Sequence, residues 1–367
     1  MIYPQQDPGH WLTFSKRRDN VDLPINELTR KYNKEKLLFE NYVTNFKSYQ
    51  LASLSQKALG VGGGNSFITD RNFYQVIDLW FSNQELAEQR YGTIENWDVS
   101  RVTNMGSSFE PSNEFTTGKN VVDGFNQDLS KWDVSSVTNM QEMFSNQTAF
   151  NQPLDSWNVG NGENFLYMFS GATVFNQSLN SWNMINATRI SLMFYEATAF
   201  NGNISDWNVS NVFDFSSMFE GATSFDQNIS SWDIKNSAND PDLPGFGLTG
   251  MFRNATSFNQ NISSWVIPNN IITMFAMFEN ATSFDQNLSS WNITSLVSGT
   301  GGATDMFKGI TLSTANYSAL LIGWAAQTNT NGVTLNGGNS QYSAGAAADA
   351  RAQMQGQSWV ITDGGQA

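Results

Sequence analysis

The sequence predicts a repeat solenoid: about eight coils of 25 residues, closed by helical caps and preceded by an N-terminal helical arm. Three interlocking series of aromatic residues carry that reading. Trp132, Trp157, Trp182, Trp207 and Trp232 recur every 25 residues; Trp97 precedes them by 35, and Trp265 and Trp291 follow at 33 and 26. A second series, Phe109, Phe144, Phe169, Phe194, Phe219, Phe252, Phe278 and Phe307, follows a Met directly in every case but the first. A third, Phe150, Phe175, Phe200, Phe225, Phe258 and Phe284, mostly opens an FNQ or FDQ triplet.

Together the series give the consensus MF-x-x-A-T-x-F-N-Q-x-L/I-S-x-W-N/D-V-S-x-V-x-x-M. From Phe144 to Phe278, each MF phenylalanine lies 13 residues before the next Trp. Ten extra residues enter between Phe109 and Trp132 and eight between Trp232 and Phe252, so length varies only between anchors, as it does in loops on one side of a stack. The period is too short for the helix pairs of tetratricopeptide or HEAT arrays. It suits one coil of a β-solenoid or leucine-rich-repeat-like stack. Apolar and polar residues alternate in VTNM (Val137 to Met140) and in the WDV and WNV segments, which predicts one or two short parallel strands per coil. A right-handed solenoid over about 95–310 is expected, with each aromatic series forming an interior ladder.

Stacked strands leave open edges, and these need caps. Residues 70–91 read as helix, with Asp70 as N-cap and Phe73, Val76, Ile77 and Trp80 as the apolar stripe. At the far end Ser313 or Thr314 begins a helix that buries Tyr317, Leu320, Leu321 and Trp324. A shorter helix near 345–355 and a strand at Trp359 to Thr362 follow. The expected domains are therefore a helical arm at 1–60, a Gly linker and N-terminal cap at 61–94, the solenoid at 95–310 and a C-terminal cap at 311–367.

The blocks WDVSSVTNMQEMF (Trp132 to Phe144) and ATSFDQNISSW, with the ending LSTANYSALLIGW…NSQYSAGAAADARAQM…SWVITDGG, resemble the BspA-like leucine-rich-repeat surface proteins, the class first noted among Mycoplasma lipoproteins. The resemblance covers about residues 66–365. It implies extracellular adhesion or recognition, with no catalytic residues to transfer.

The arm has a different character. Residues 1–60 hold nine Lys or Arg and six Asp or Glu, a net of +3, whereas the remainder holds ten and twenty-seven, a net of −17. After Pro24 the arm reads as one long helix with Asn26 as N-cap. Phe39, Tyr42, Phe46 and Tyr49 recur at alternating three- and four-residue spacing, the seam of a docking helix. GVGGGNS then reads as a linker. Those four aromatics are the candidate partner-docking residues; packing of the helix on the first cap is the alternative.

Several chemistries are set aside. The net charge of −14 gives no general affinity for phosphate backbones, so no nucleic-acid partner is expected. No cysteine is present, which removes disulfides and thiolate metal sites. No run of 18 apolar residues exists, so no membrane insertion is expected, and MIYPQQDPGHWLTF lacks the regions of a secretory signal. His10 is the single histidine, so no Ser-His-Asp set or histidine metal cluster can be assembled. Two Asx series invite calcium: Asp98, Asp133, Asn158, Asn183, Asn208, Asp233 and Asn292 after each Trp, and Asn126, Asn151, Asn176, Asn201, Asp226, Asn259 and Asp285 after each third-series Phe. Neutral Asn dominates both, and asparagine ladders bonding turn backbones are the favoured reading. No cofactor or metal is expected.

The function read from the sequence is that of a non-enzymatic structural or adhesion protein displaying a repeat surface. The most specific form is a bacteriophage virion component, decoration or tail-associated, whose arm joins a capsid or tail assembly while the solenoid faces a host-surface glycan or protein. The alternatives are a bacterial cell-surface adhesin and, third, a carbohydrate-active enzyme on a β-solenoid. Expected location is the virion or an extracellular surface.

Overall fold

The computed structural model describes residues 67–111, 123–241, 244–327 and 332–367. The arm, including Phe39, Tyr42, Phe46 and Tyr49, lies outside the described residues.

Among the described residues, the repeats before residue 299 contain turns and single parallel bridges in place of extended strands. The bridges link equivalent residues of successive repeats: Asn104 with Asn139, Asn139 with Asn164, Asn164 with Arg189, and Arg189 with Asp214. The expected one or two strands per coil are thus reduced to one residue. The cause lies in the MF segment. From Glu142 onward each repeat has two left-handed residues four positions apart, such as Glu142 (φ 56°) and Asn146 (φ 58°), or Leu192 (φ 56°) and Glu196 (φ 54°). A chain that reverses hand twice in five residues cannot stay extended.

The same reversals explain the hydrogen bonding. Alternate N–H groups point out of the repeat to the next one: Met140 to the Asn164 carbonyl, Glu142 to Leu166, Phe144 to Met168 and Asn146 to Ser170, at 2.7–2.9 Å. The intervening N–H groups turn back three residues, Met143 to Met140, Ser145 to Glu142 and Gln147 to Phe144. Every backbone donor from 140 to 147 except that of Gln141 is thereby used on a backbone carbonyl, and the Gln141 N–H donates to Asn139 Oδ1 at 3.1 Å. The second left-handed position is occupied by Asn146, Gly171, Glu196, Gly221, Asn254, Asn280 and Gly309. Asn and Gly predominate because they tolerate this conformation best.

The N-terminal helical segment is two helices, not one. Helix α1 (Phe73–Ser82) buries Phe73, Val76, Ile77 and Trp80, and α2 (Gln84–Tyr91) follows after a break at Asn83. Asn83 is extended, and its side chain accepts from the Leu86 N–H, so it caps the second helix at the cost of ending the first. Asp70 is not the N-cap. Its carboxylate accepts from the backbone N–H groups of Thr103 (2.7 Å) and Asn104 (3.2 Å) and from the Thr103 hydroxyl, pinning the chain entry to the first repeat. Phe73 meets Trp132 edge-on at 6.1 Å and Trp80 meets Phe125 at 5.6 Å, so α1 lies against the aromatic interior.

At the other end β1 (Gly299–Ala303), β2 (Val333–Asn336) and β3 (Val360–Thr362) form a parallel sheet in that order, with α3 (Thr314–Ala325) and α4 (Ala346–Gly356) in the connections. The side chain of Ser313 caps α3 by accepting from the Asn316 N–H. Asp363 fastens the end, accepting from the Tyr317 hydroxyl (2.9 Å) and from Arg351 Nε (2.7 Å).

Candidate recognition surface

Three columns of aromatics occupy the interior. Trp132, Trp157, Trp182, Trp207, Trp232, Trp265 and Trp291 are all 3% exposed or less. Face-to-face stacks join Trp157 to Trp182 and Trp182 to Trp207 at 6.3 Å, Trp207 to Trp232 at 6.1 Å and Trp265 to Trp291 at 6.3 Å. Phe144, Phe169, Phe194, Phe219, Phe252 and Phe278 stack in an unbroken column at 5.6–5.8 Å. Within each repeat the MF phenylalanine also stacks on its FNQ partner, as Phe194 does on Phe200 at 3.7 Å.

A buried indole N–H needs an acceptor. Along the repeats it is a carbonyl of the preceding repeat: Trp157 donates to Leu129, Trp182 to Leu154, Trp207 to Leu179, Trp265 to Ile229 and Trp291 to Ile262, at 2.7–3.2 Å. Trp324 of α3 donates to Leu288 at 3.1 Å. The terminal helix therefore supplies the rung that a further repeat would have supplied.

The two Asx series do different work. Those after each Trp make local turns, as when Asp133 accepts from the Ser135 N–H and Asn208 from that of Ser210. Those after each third-series Phe bond between repeats. The Asn151 N–H donates to Asn126 Oδ1, Asn176 to Asn151, Asn201 to Asn176, Asp226 to Asn201, Asn259 to Asp226 and Asp285 to Asn259, at 2.8–3.0 Å. Ser313 closes the series by donating to Asp285, and Asn316 donates its side-chain amide to the same carboxylate. Among the described residues no group of three or more His, Cys, Asp or Glu is placed to hold a metal ion.

Columns so fully committed to packing and hydrogen bonding have one chemistry in every repeat. Other columns do not. Directly after MF stand Ser145, Ser170, Tyr195, Glu220, Arg253, Glu279 and Lys308; two residues before the MF phenylalanine stand Glu142, Tyr167, Leu192, Ser217, Gly250, Ala276 and Asp305. These columns adjoin one another, and their residues differ in charge, size and aromaticity from repeat to repeat. Tyr167, Tyr195, Arg253 and Lys308 are half-buried, with part of each side chain at the surface. Charges pair along the column: Arg253 Nε donates to Glu220 Oε1 at 2.7 Å, and Lys308 Nζ to Glu279 Oε1 at 2.7 Å. Burial pushes the Glu220 carboxyl above the usual carboxylate range, opposed by the Arg253 guanidinium.

A neighbouring column, six residues before the second-series phenylalanine from Thr103 to Ile272 and continued by Val297 six residues after Trp291, changes character along the chain. Thr103, Thr138, Glu163 and Thr188 give way to Phe213, Phe246, Ile272 and Val297, of which Val297 is 38% exposed and the other three are half-buried. Neither column was singled out by the consensus, in which both fall on unspecified positions. Aligning the repeats and asking which positions refuse a common residue would have found them. A shallow depression of about 320 Å³ lies elsewhere, lined by Ser205, Asp206, Asn208, Ser231 and Asp233.

The model of the family described as "Mycoplasma protein of unknown function, DUF285" matches residues 77–203, 178–243 and 245–319. The chain belongs to that family. No curated protein matches it. No helix of the described residues is long and apolar enough to cross a membrane.

Proposed function

We propose that this chain is a non-enzymatic surface protein whose repeats form a solenoid of the BspA-like, leucine-rich-repeat-like kind, and that it recognises a host-surface glycan or protein through its variable columns. One observation carries the reading: the invariant columns are spent on packing and inter-repeat hydrogen bonds, while the variable ones bring Tyr167, Tyr195, Arg253 and Lys308 partly to the surface. Half-exposed tyrosines beside charged groups are the residue types that anchor interfaces. Membership of a repeat family first described in Mycoplasma favours a cell surface as the setting.

A second reading, the bacteriophage virion component, is favoured by the change from a net +3 arm to a net −17 body. In it the arm joins a capsid or tail through Phe39, Tyr42, Phe46 and Tyr49.

One co-sedimentation experiment separates the two. Full-length protein, a Tyr167→Ala/Tyr195→Ala variant and a variant with all four arm aromatics changed to Ser are incubated with host cells and with phage particles. Loss of cell binding in the tyrosine variant, with an unchanged melt, supports recognition by the repeats. Loss of particle binding in the arm variant alone supports the virion reading. Cell binding by all three at equal levels rejects the assignment of the recognition surface to these columns.

A further inference from the structure

Four residues after each Trp runs a further column of inter-repeat bonds, separate from the two Asx series. Asn161 Nδ2 donates to the Ser135 carbonyl, Asn186 to Gly160, Asn211 to Ile185 and Asn236 to Ser210, at 2.6–2.7 Å. Each bond ties a repeat to the one before it. Here the amide nitrogen is used, so the position demands a donor. Its other occupants, Arg101, Ser136, Asn269 and Ser295, all carry one, and neither Asp nor Glu stands in it, although both Asx series admit Asp. A carboxylate at 161 would lose the bond and set oxygen against the Ser135 carbonyl.

Asn161 is the member of this column followed by glycine; Asn186, Asn211 and Asn236 precede Ala187, Val212 and Ser237. With no side chain, glycine gives its own amide nitrogen the least hindered path to the preceding asparagine. The fold retains it, because a Cβ at Gly162 would collide with the Phe165 ring. Attack of Gly162 N on Asn161 Cγ closes a five-membered succinimide. The Gly162 amide proton passes to solvent, the Cγ–Nδ2 bond breaks and ammonia leaves. Water then opens the ring at either carbonyl to give aspartate or isoaspartate, so the net change is one water consumed and one ammonia released.

Little has to open for this to happen. One hydrogen bond holds the exposed Asn161 side chain, and the Gly162 N–H closes a single turn onto the Val159 carbonyl at 2.7 Å. Two other Asn-Gly pairs are locked into neighbouring elements. Asn201 Oδ1 accepts from the Asp226 N–H and from Gln227 Nε2, and the Asn201 N–H donates to Asn176 Oδ1. Asn336 lies within β2, and the Gly337 N–H donates to the Thr362 carbonyl. Asn331, of the fourth pair, lies outside the described residues.

We infer that Asn161 is a site of spontaneous modification: it deamidates in the folded chain through a succinimide with Gly162, and the acid that results cuts the bond between the repeats of Trp132 and Trp157. This is independent of the recognition reading.

The full chain, incubated at mildly alkaline pH, digested and followed by mass spectrometry, tests it. Residue 161 is expected to exchange NH2 for OH at least about tenfold faster than 201 or 336 in the same molecules, since opening one surface turn costs less than parting a repeat from its neighbours. In guanidinium the three rates are expected to converge. Asn161→Asp is expected to lower the thermal midpoint, whereas Asn201→Asp leaves it in place because that column uses the oxygen. Exchange at 161 no faster than at 201 and 336 in the folded chain overturns the inference, as does an Asn161→Asp variant that melts like wild type.

Discussion

Replacing Trp182 with Ala is expected to lower stability by about 3–5 kcal/mol, the range for deleting a large aromatic from a close-packed core. Trp182 is 2% exposed and stacks on Trp157 and Trp207, each at 6.3 Å. Its indole also donates to the Leu154 carbonyl. The substitution breaks contacts to the repeats on both sides, so the loss concerns coupling as well as burial. In an array whose stability is a sum of repeat and interface contributions, a broken interface in the middle separates two shorter arrays. A guanidinium melt followed by tryptophan fluorescence is therefore expected to show a lower midpoint and a broadened or divided transition. An unchanged midpoint would show that the column is not structural.

Removing one whole repeat is expected to do much less damage than removing half of one. Deletion of Trp182 to Asp206 joins Ser181 to Trp207. Trp207 then stands where its indole reaches the Leu154 carbonyl, Phe219 follows Phe169, and the Asp226 N–H meets Asn176 Oδ1 in place of Asn201 Oδ1. Every structural column is restored because each repeat presents the same acceptors to the next. Deletion of only the 12 residues Trp182 to Met193 puts Phe194 where a Trp is needed and throws all three aromatic columns out of register. The first variant is expected to give a single cooperative thermal transition and native near-ultraviolet circular dichroism, the second neither. Equal behaviour of the two would mean that repeat register does not determine the packing.

Much of this arrangement was legible in the sequence because its anchors are large and chemically unambiguous. A Trp and two Phe per repeat, each buried, leave little freedom in how successive repeats align. The strands were misread for a physical reason. Alternation in VTNM is a sound signal of local extension, but the backbone reversals at Glu142 and Asn146 that end it are imposed by hydrogen bonding to the next repeat. No local pattern announces a left-handed Glu or Leu. Asp70 was assigned to a helix cap because it precedes an apolar stripe, whereas its partners, Thr103 and Asn104, lie more than 30 residues away. The Glu220 to Lys308 column was hidden for the opposite reason: a consensus keeps what repeats share and leaves out what they do not.

The two Asx series make the same point about candidate sites. Asn and Asp are mixed in both, and composition alone could not separate a cation ladder from a hydrogen-bond ladder. The structure distinguishes them by direction, since one series bonds two residues onward and the other reaches across to the neighbouring repeat. Asn and Asp are interchangeable in the second because only an acceptor oxygen is used. That also explains why Asp226 and Asp285 interrupt a series otherwise built of Asn.

The absence of cysteine permits a direct test of the stack itself. Arg101, Asn186, Asn211 and Asn269 each lie four residues after a Trp and are exposed. Pairs of single cysteines at Arg101 with each of the other three, spin-labelled and measured by double electron–electron resonance, span three, four and six repeats. If each repeat is one rung, the backbone separations are about 14, 19 and 29 Å, rising by about 4.8 Å per repeat although 25 or more residues intervene each time. Separations that fail to rise in proportion to the number of repeats would contradict a stack.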